Sequence, residues 1–413
     1  MNLLVEARQC TGCGACAEVC PKDAITMERD KEGHYYPTVS SIYCVQCQKC
    51  HQACPVLHKQ EVKNTIPAEA YVFKNTDETT LLQSASGGVF SALASSIISD
   101  GGVVFGAVWD EDKKVRIKKA ETLSDISPMR GSKYVYSHAN GSYRDALNLL
   151  KQGKTVLFTG LPCQISALYS VTGVDFDNLY TAEIPCHGSG SELVFEKYIA
   201  SLENRYNKKI KTICQSSKKK EWDQLIRKVV EYHWEDGTST CVDYTEDSYL
   251  SLYMMNVHLR KSCYHCPFAS FPRNADFTMG DFMGIGSIKK HDIPLKNGVS
   301  ALLVNTEKAK TLFEKLINNN VAVIEKAELE EMFSFNYTLW KPSKAPNNRE
   351  RFWDDFDNYD FSELENRYYF NNTKHKMMSL IKRAVIKFIG PNIVAKLILK
   401  KQTADGELNN MPK

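Results

Sequence analysis

Cys10, Cys13, Cys16 and Cys20 stand in the stretch CTGCGACAEVCP, and Cys44, Cys47, Cys50 and Cys54 repeat their spacing in CVQCQKCHQACP. Both runs read C-x2-C-x2-C-x3-C-P and close at Pro21 and Pro55. A cubane iron-sulfur cluster needs four thiolates, and the short gaps let one tight loop wrap three of them around it. Gly12 and Gly14 suit such a loop, because a residue without Cβ accepts positive φ and close backbone approach. Zinc knuckles are the competing reading, but they pair two C-x2-C halves across a longer spacer and do not call for a duplication with terminal prolines.

The duplicated run is the pattern of two-cluster ferredoxins, in which the fourth cysteine of each run crosses to the other cluster. The expected ligand sets are Cys10, Cys13, Cys16 and Cys54 for one cluster, and Cys44, Cys47, Cys50 and Cys20 for the other. A ferredoxin domain over residues 1–60 is by itself a relay. The rest of the chain must supply a redox centre or a substrate.

Six cysteines remain. Cys163 in TGLPCQ, Cys186 in EIPCHG, and Cys263 with Cys266 in KSCYHCPFA are four thiolates from three loops, the number a third 4Fe-4S cluster takes. Buried structural cysteines are the plain alternative. A nucleophilic Cys163 beside His187 would also bring them together, but the flanking residues match no protease signature. Cys214 and Cys241 lie in strand-like segments and read as packing residues. His187 is a candidate proton donor because imidazole titrates near neutrality; a hydrogen bond to a cluster sulfur and a structural role are the other readings. Asp281 is a weaker candidate for the same role, and a turn cap is its favoured reading. Gly87 and Gly88 in SASGGVF open a helix, where amides can receive a phosphate. Arg130 and Lys133 in RGSKYV have the charge to neutralise a diphosphate or contact an anionic flavin ring. For these four residues helix capping and a solvated pair of cations are the plain readings.

The elements that must position these residues alternate. VVFGAVWD reads as a buried strand and VRIKKAET as its neighbour. SYRDALNLLKQG is a helix closed by Gly153, followed by the strand KTVLFTG and the loop LPCQ. LYTAEIPCHGSG repeats strand then loop, and Ser191 caps the helix that follows. Asp236-Gly237 marks a hairpin, and VSALLVNTEKAKTLFEKLI is another strand-to-helix unit. This alternation predicts an α/β or α+β body. Residues 56–68 read as a polar linker.

The chain of 413 residues is long enough for roughly two to three domains. Its net charge of +3 gives no reason to expect a nucleic-acid partner. Residues 1–9 lack the apolar run of a secretory signal, and no stretch approaches the roughly 20 apolar residues of a membrane span. A cytoplasmic location is expected, and in a reducing compartment fourteen cysteines point to metal ligation rather than disulfides.

Taken in order, SASGGVF, RGSKYV, TGLPCQ, CHG, CYHCPFA and DFTMGDFMG resemble the family of coenzyme F420 hydrogenase/dehydrogenase beta subunits over roughly residues 80–330. The resemblance implies an FAD-binding catalytic body with a 4Fe-4S cluster near the flavin. It maps that cluster onto Cys163, Cys186, Cys263 and Cys266, and the flavin site onto Ser86, Gly87, Gly88, Lys133 and Gly160, beside Arg130. It divides the body into 69–160, flavin-binding, and 161–335, which completes the flavin site and carries the third cluster. Two departures, Met283 where tryptophan is common and Leu161 where threonine is common, fall on the substrate side. Relatives act on coenzyme F420, on chlorophyll precursors and on compounds linked to surface-polysaccharide pathways, so the substrate does not carry over. The expectation is an iron-sulfur flavoprotein oxidoreductase that passes electrons between a ferredoxin-type partner protein and a small or lipid-linked organic substrate. The alternatives are a subunit that reduces or oxidises coenzyme F420, and an electron-transfer subunit that only feeds a partner protein.

Residues 336–413 form an aromatic and basic helical tail. In KHKMMSLIKRAVIKFIGPNIVAKLILKK, Met377, Ile381, Ala384, Val385 and Phe388 fall on one helical face, with Lys382, Arg383 and Lys387 off it. That pattern suits a helix lying on an anionic membrane surface, and equally a helix docked on the protein with a solvated basic face.

Overall fold

The computed structural model describes residues 5–58, 67–218, 229–244, 246–370, 391–404 and 411–412. In the N-terminal segment each cysteine run ends in a short helix, Ala15–Glu18 and Lys49–Gln52. Between them lies an antiparallel hairpin of β1 (Ile25–Arg29) and β2 (Tyr35–Val39). Its turn is held by Asp30, whose carboxylate accepts from the amides of Glu32 at 3.0 Å and His34 at 2.8 Å.

The body is built on a nine-stranded mixed sheet. Its strands are β3 (Glu69–Asn75), β4 (Val103–Trp109), β5 (Val115–Ala120), β6 (Ser137–His138), β7 (Val156–Gly160), β8 (Leu179–Glu183), β12 (Phe277–Asp281), β13 (Ser300–Val304) and β14 (Ala322–Lys326). Their order is β14-β3-β13-β12-β8-β7-β4-β5-β6, with β4, β7, β8 and β12 mutually parallel. A second sheet takes β9 (Ile210–Ser217), β10 (Val229–Trp234) and β11 (Ser239–Asp243), and β10 and β11 turn back at the expected Asp236-Gly237. Residues 69–160 and 161–335 thus interleave in one sheet.

Alternation along the central strands explains why both sheet faces are covered. Val104 and Leu157 point to a core shared with Val89, Leu93 and Ile97 of helix Val89–Ser99 and Leu312 and Leu316 of helix Glu307–Asn318. Their neighbours Val103, Phe105, Val156 and Phe158 point the other way, to Tyr143, Ala146 and Leu150 of helix Ser142–Lys151 and Ile165 and Leu168 of helix Pro162–Thr172.

One expected element is corrected. LPCQ is not a loop: the helix starts at Pro162, whose missing N–H and fixed φ suit a first helical position, and the Gln164 side chain accepts from the Leu161 amide at 3.0 Å. Cys163 therefore sits on the first turn of a helix. Ser191 does cap its helix, accepting from the Val194 amide at 3.2 Å.

The described part of the tail packs on the body. Phe352, Trp353, Phe356, Phe361 and Leu364 share a core with Phe195, Tyr198 and Trp234. The expected amphipathic helix, with Met377, Ile381, Ala384, Val385 and Phe388 on its apolar face and Lys382, Arg383 and Lys387 off it, lies outside the described residues. Pro391–Ala404 is helical and leaves Ile393, Leu397 and Ile398 exposed. Among the described residues no helix is long and apolar enough to cross a membrane.

Candidate functional site

Cys10, Cys13, Cys16 and Cys54 line one cavity, bringing together the two halves of the crossed ligand set. Burial and the neighbouring thiols push Cys13 up to about 12, and Cys16 up as well, with Cys54 among the groups that raise each. In the second run burial pushes Cys50 up, and the nearby Cys44 and Cys47 add to it. Cys47 is exposed. Cys20, assigned to this second set, accepts from the Ala24 amide at 3.2 Å.

Cys163, Cys186, Cys263 and Cys266 line a single cavity of the body. Cys163 arrives on the helix after β7, Cys186 on the loop after the adjacent parallel strand β8, and Cys263 and Cys266 on the turn around Lys261–His265. Burial raises the Cys163 thiol, and so do Cys266, Cys186, Cys13 and Cys263 around it. Burial and its thiol neighbours likewise raise Cys186, and push Cys263 up to about 11. The Ser189 amide donates to Cys263 Sγ at 3.3 Å. The same cavity is walled by Thr11, Gly12 and Cys13 of the first cysteine run. Two four-cysteine sets are thus back to back.

The chemistry of the donors fits clusters. Among the described residues no group of three His, Cys, Asp or Glu side chains is placed to hold a single metal ion. The thiols instead ring cavities, as suits a cage of iron and sulfide whose thiolates attach at separate corners. Cys214 and Cys241 lie on β9 and β11 of the small sheet.

His187 also lines the central cavity. Its Nε2 meets Asn256 Oδ1 at 2.6 Å and its Nδ1 the Tyr337 hydroxyl at 3.3 Å. Burial lowers its pKa, with the Asn256 hydrogen bond opposing. Both ring nitrogens meet neutral groups, which fix the orientation of the imidazole next to Cys186 in the chain.

The residues expected at a flavin site are partly brought together. Arg130 Nε donates to Ser91 Oγ at 3.0 Å, so the loop carrying Arg130 and Lys133 lies against the helix that Gly88 opens. Their polar groups are largely engaged within the protein. Ser86 Oγ donates to the Val299 carbonyl at 2.7 Å. The Gly87 amide, expected to be free for a phosphate, donates to Ser300 Oγ at 2.8 Å. A Cβ at Gly87 would stand 2.2 Å from the Phe73 carbonyl, so close packing of the segment on β3 and β13 requires this glycine. Lys133 Nζ donates to the carbonyls of Met129, Arg130 and Gly131 at 2.9 to 3.2 Å, and burial lowers it to about 8. Gly160 ends β7, its carbonyl accepting from the Ile184 amide at 3.3 Å. Arg130 is half-buried.

Sequence reasoning missed Gln164, whose Nε2 donates to the Ser137 carbonyl and hydroxyl at 3.0 Å and ties the Cys163 turn to β6. It also missed Tyr136 and Tyr143, whose hydroxyls donate to the carbonyls of Gly12 at 2.6 Å and Cys13 at 3.0 Å. Gln164 closes the TGLPCQ motif, while the tyrosines had no local signal because their partners lie more than a hundred residues away.

Residues 153–330 match the family described as the C terminus of the coenzyme F420 hydrogenase/dehydrogenase beta subunit, and residues 9–57 match the 4Fe-4S dicluster domain. An uncharacterized protein of Methanocaldococcus jannaschii is 22% identical over 374 residues, covering 79% of this chain and 91% of its own length. A subunit of the F(420)H(2) dehydrogenase of Methanosarcina mazei is 26% identical over 171 residues, 38% of this chain and 47% of that protein. The coenzyme F420-dependent sulfite reductase of Methanocaldococcus jannaschii is 23% identical over 366 residues, 85% of this chain and 52% of that protein. The chain spans about half the length of these last two relatives.

Proposed function

We propose, from the premise that residues 153–330 belong to the family of coenzyme F420 hydrogenase/dehydrogenase beta subunits and residues 9–57 to the 4Fe-4S dicluster domains, that the protein is an iron-sulfur oxidoreductase subunit. It passes electrons between a redox partner protein and a deazaflavin of the coenzyme F420 type. The observation that carries this reading is the single cavity walled both by Cys163, Cys186, Cys263 and Cys266 and by the Cys13 loop. A cluster in each set makes a short relay, and Cys44, Cys47 and Cys50 would hold the outermost one. Around that outer run Ile42, Tyr43 and Val45 are exposed beside the exposed Cys47, which suits contact with a partner protein.

At the inner end hydride chemistry requires a two-electron carrier, and a bound flavin supplies the exchange between single electrons and hydride. Of the residues expected to hold FAD, the half-buried Arg130 is the one whose charge stays in reach of an anionic group. Coenzyme F420 is favoured over a polysaccharide precursor because two of the relatives carry it in their names.

Anaerobic purification with iron, sulfide and released-flavin analysis tests the reading. The expected result is about twelve iron atoms, falling to about eight in Cys163→Ala, with reduction of F420 by a low-potential donor lost in the variant. Iron unchanged by Cys163→Ala removes the third cluster. Full iron without turnover of F420 by the wild-type chain leaves an electron-transfer subunit.

A further inference from the structure

Arg260 is among the largest fully buried side chains, at 0% exposure. A buried guanidinium is costly unless an anion compensates it, yet among the described residues no carboxylate forms an ion pair with Arg260. Its hydrogen bonds go to carbonyls, from Nη2 to Tyr35 at 2.9 Å and from Nη1 to Cys10 at 3.5 Å, and Nε has no partner. The guanidinium lies over the rings of Tyr36, 4.7 Å from its centroid, and Tyr136, 5.6 Å away.

The thiols that feel its charge are Cys10 of the first cysteine set and Cys263 of the third. The backbone holds it there: the Arg260 amide donates to the Ser189 carbonyl at 3.0 Å, and the Arg260 carbonyl accepts from the Cys263 amide at 2.9 Å. The N-terminal loop is shaped to admit it. A Cβ on Gly12 would stand 2.5 Å from Arg260 Nη2. In the second run the equivalent residue is Gln46, which adopts the same positive φ, 53° against 70° at Gly12. The loop conformation therefore does not demand glycine at this place; the guanidinium does.

We propose that Arg260 is the shared counter-ion of two clusters, one held by Cys10, Cys13, Cys16 and Cys54 and the other by Cys163, Cys186, Cys263 and Cys266. The inference rests on the reading that both sets carry clusters. A cluster ligated by four thiolates is anionic and gains a further negative charge on reduction, so a buried cation beside it favours the reduced form. One guanidinium between two clusters raises both reduction potentials together and keeps them matched for transfer. It is a positioning residue for charge and takes no part in bond making.

The test is an EPR-monitored redox titration of the full anaerobically prepared chain, wild type against Arg260→Gln and Arg260→Lys, with iron counted in each. In Arg260→Gln two midpoints are expected to move to more negative potential while the third, that of the Cys44, Cys47, Cys50 and Cys20 set, stays. No shift at full iron content, or an equal shift of all three, overturns the proposal. If Arg260→Gln loses its iron, Arg260→Lys decides: recovery of iron and of both midpoints supports the role of the charge, and failure to recover them assigns Arg260 a steric role instead. About eight iron atoms in the wild type, with the Cys163 set empty, fails the cluster reading itself and with it the sharing. That outcome is distinct from three clusters with unmoved midpoints.

Discussion

Arg349 of the C-terminal tail grips Glu32 of the N-terminal hairpin, Nη2 to Oε2 at 2.5 Å, with both side chains 5% exposed. The ion pair fastens the first and last parts of the chain to each other, and Lys261 joins it from the body at 3.1 Å. Burial pushes the Glu32 carboxyl up, but Arg349 and Lys261 more than offset this and hold it below its ordinary value. At a second place in the same segment, the Glu18 carboxylate accepts from the amides of Gly141 and Tyr143 at 2.9 Å and Arg144 at 3.1 Å, at the start of helix Ser142–Lys151. The dicluster segment is docked at several points.

Arg349→Met should therefore loosen that docking. Removing one partner of a buried pair costs about 3–5 kcal/mol, and the remaining Lys261 places this variant at the low end. Denaturant midpoints of Arg349→Met, Glu32→Gln and the double variant would measure the coupling, expected to exceed about 1 kcal/mol. Additive single effects would show that the pair contributes nothing beyond its separate parts.

Stability is expected to depend on pH through His34. The ring is fully buried with no partner for either nitrogen, and burial first, then Arg260, His258, Arg349 and Lys261, hold its pKa well below the usual value. His258 is lowered to about 4 by burial. The unfolded chain protonates these rings near pH 6.5 while the folded chain does not, so below that pH the unfolded state binds more protons. Stability falls as pH falls from there, by up to about 1.4 kcal/mol per pH unit for each ring, and is flat above. His34→Phe should remove its share of that slope between pH 6.5 and 5, read by hydrogen exchange of the β1–β2 amides.

Gly12→Ala tests the fit of the guanidinium into the loop. The added methyl meets Arg260 Nη2 and Cζ at 2.5 and 2.7 Å and sits at φ +70°. Overpacking costs about 1–3 kcal/mol. Thermal unfolding should drop accordingly, whereas Gln46→Ala, at the matching place of the exposed run, should leave stability within about 0.5 kcal/mol.

Cys54→Ala distinguishes crossed from uncrossed ligation. The crossed set predicts that its EPR spectrum matches that of Cys10→Ala, although Cys54 follows Cys44, Cys47 and Cys50 in sequence. A match to Cys47→Ala would reverse the assignment.

The sequence by itself determined what depends on near neighbours. The two C-x2-C-x2-C-x3-C-P runs specify a local loop, and its repeat gives a short helix around the third cysteine of each. The strands from Val103, Val156, Leu179 and Ser300 were legible because their apolar runs are bounded by turns, as was the Asp236-Gly237 hairpin. The sequence reads Pro162 as part of a loop because a proline two residues after a glycine, here in Gly160-Leu161-Pro162, signals a turn as readily as a first helical position. Only the tertiary structure decided which distant groups meet. That Cys163, Cys186 and the Cys263–Cys266 pair ring one cavity follows from the adjacency of β7 and β8 and from the turn that closes over them, an order no local pattern encodes. Arg260 carried no motif, since its role comes from burial between two loops that lie some 250 residues apart in the chain. Spacing fixes ligands that share a loop; charge and close packing between loops exist only once the chain has folded.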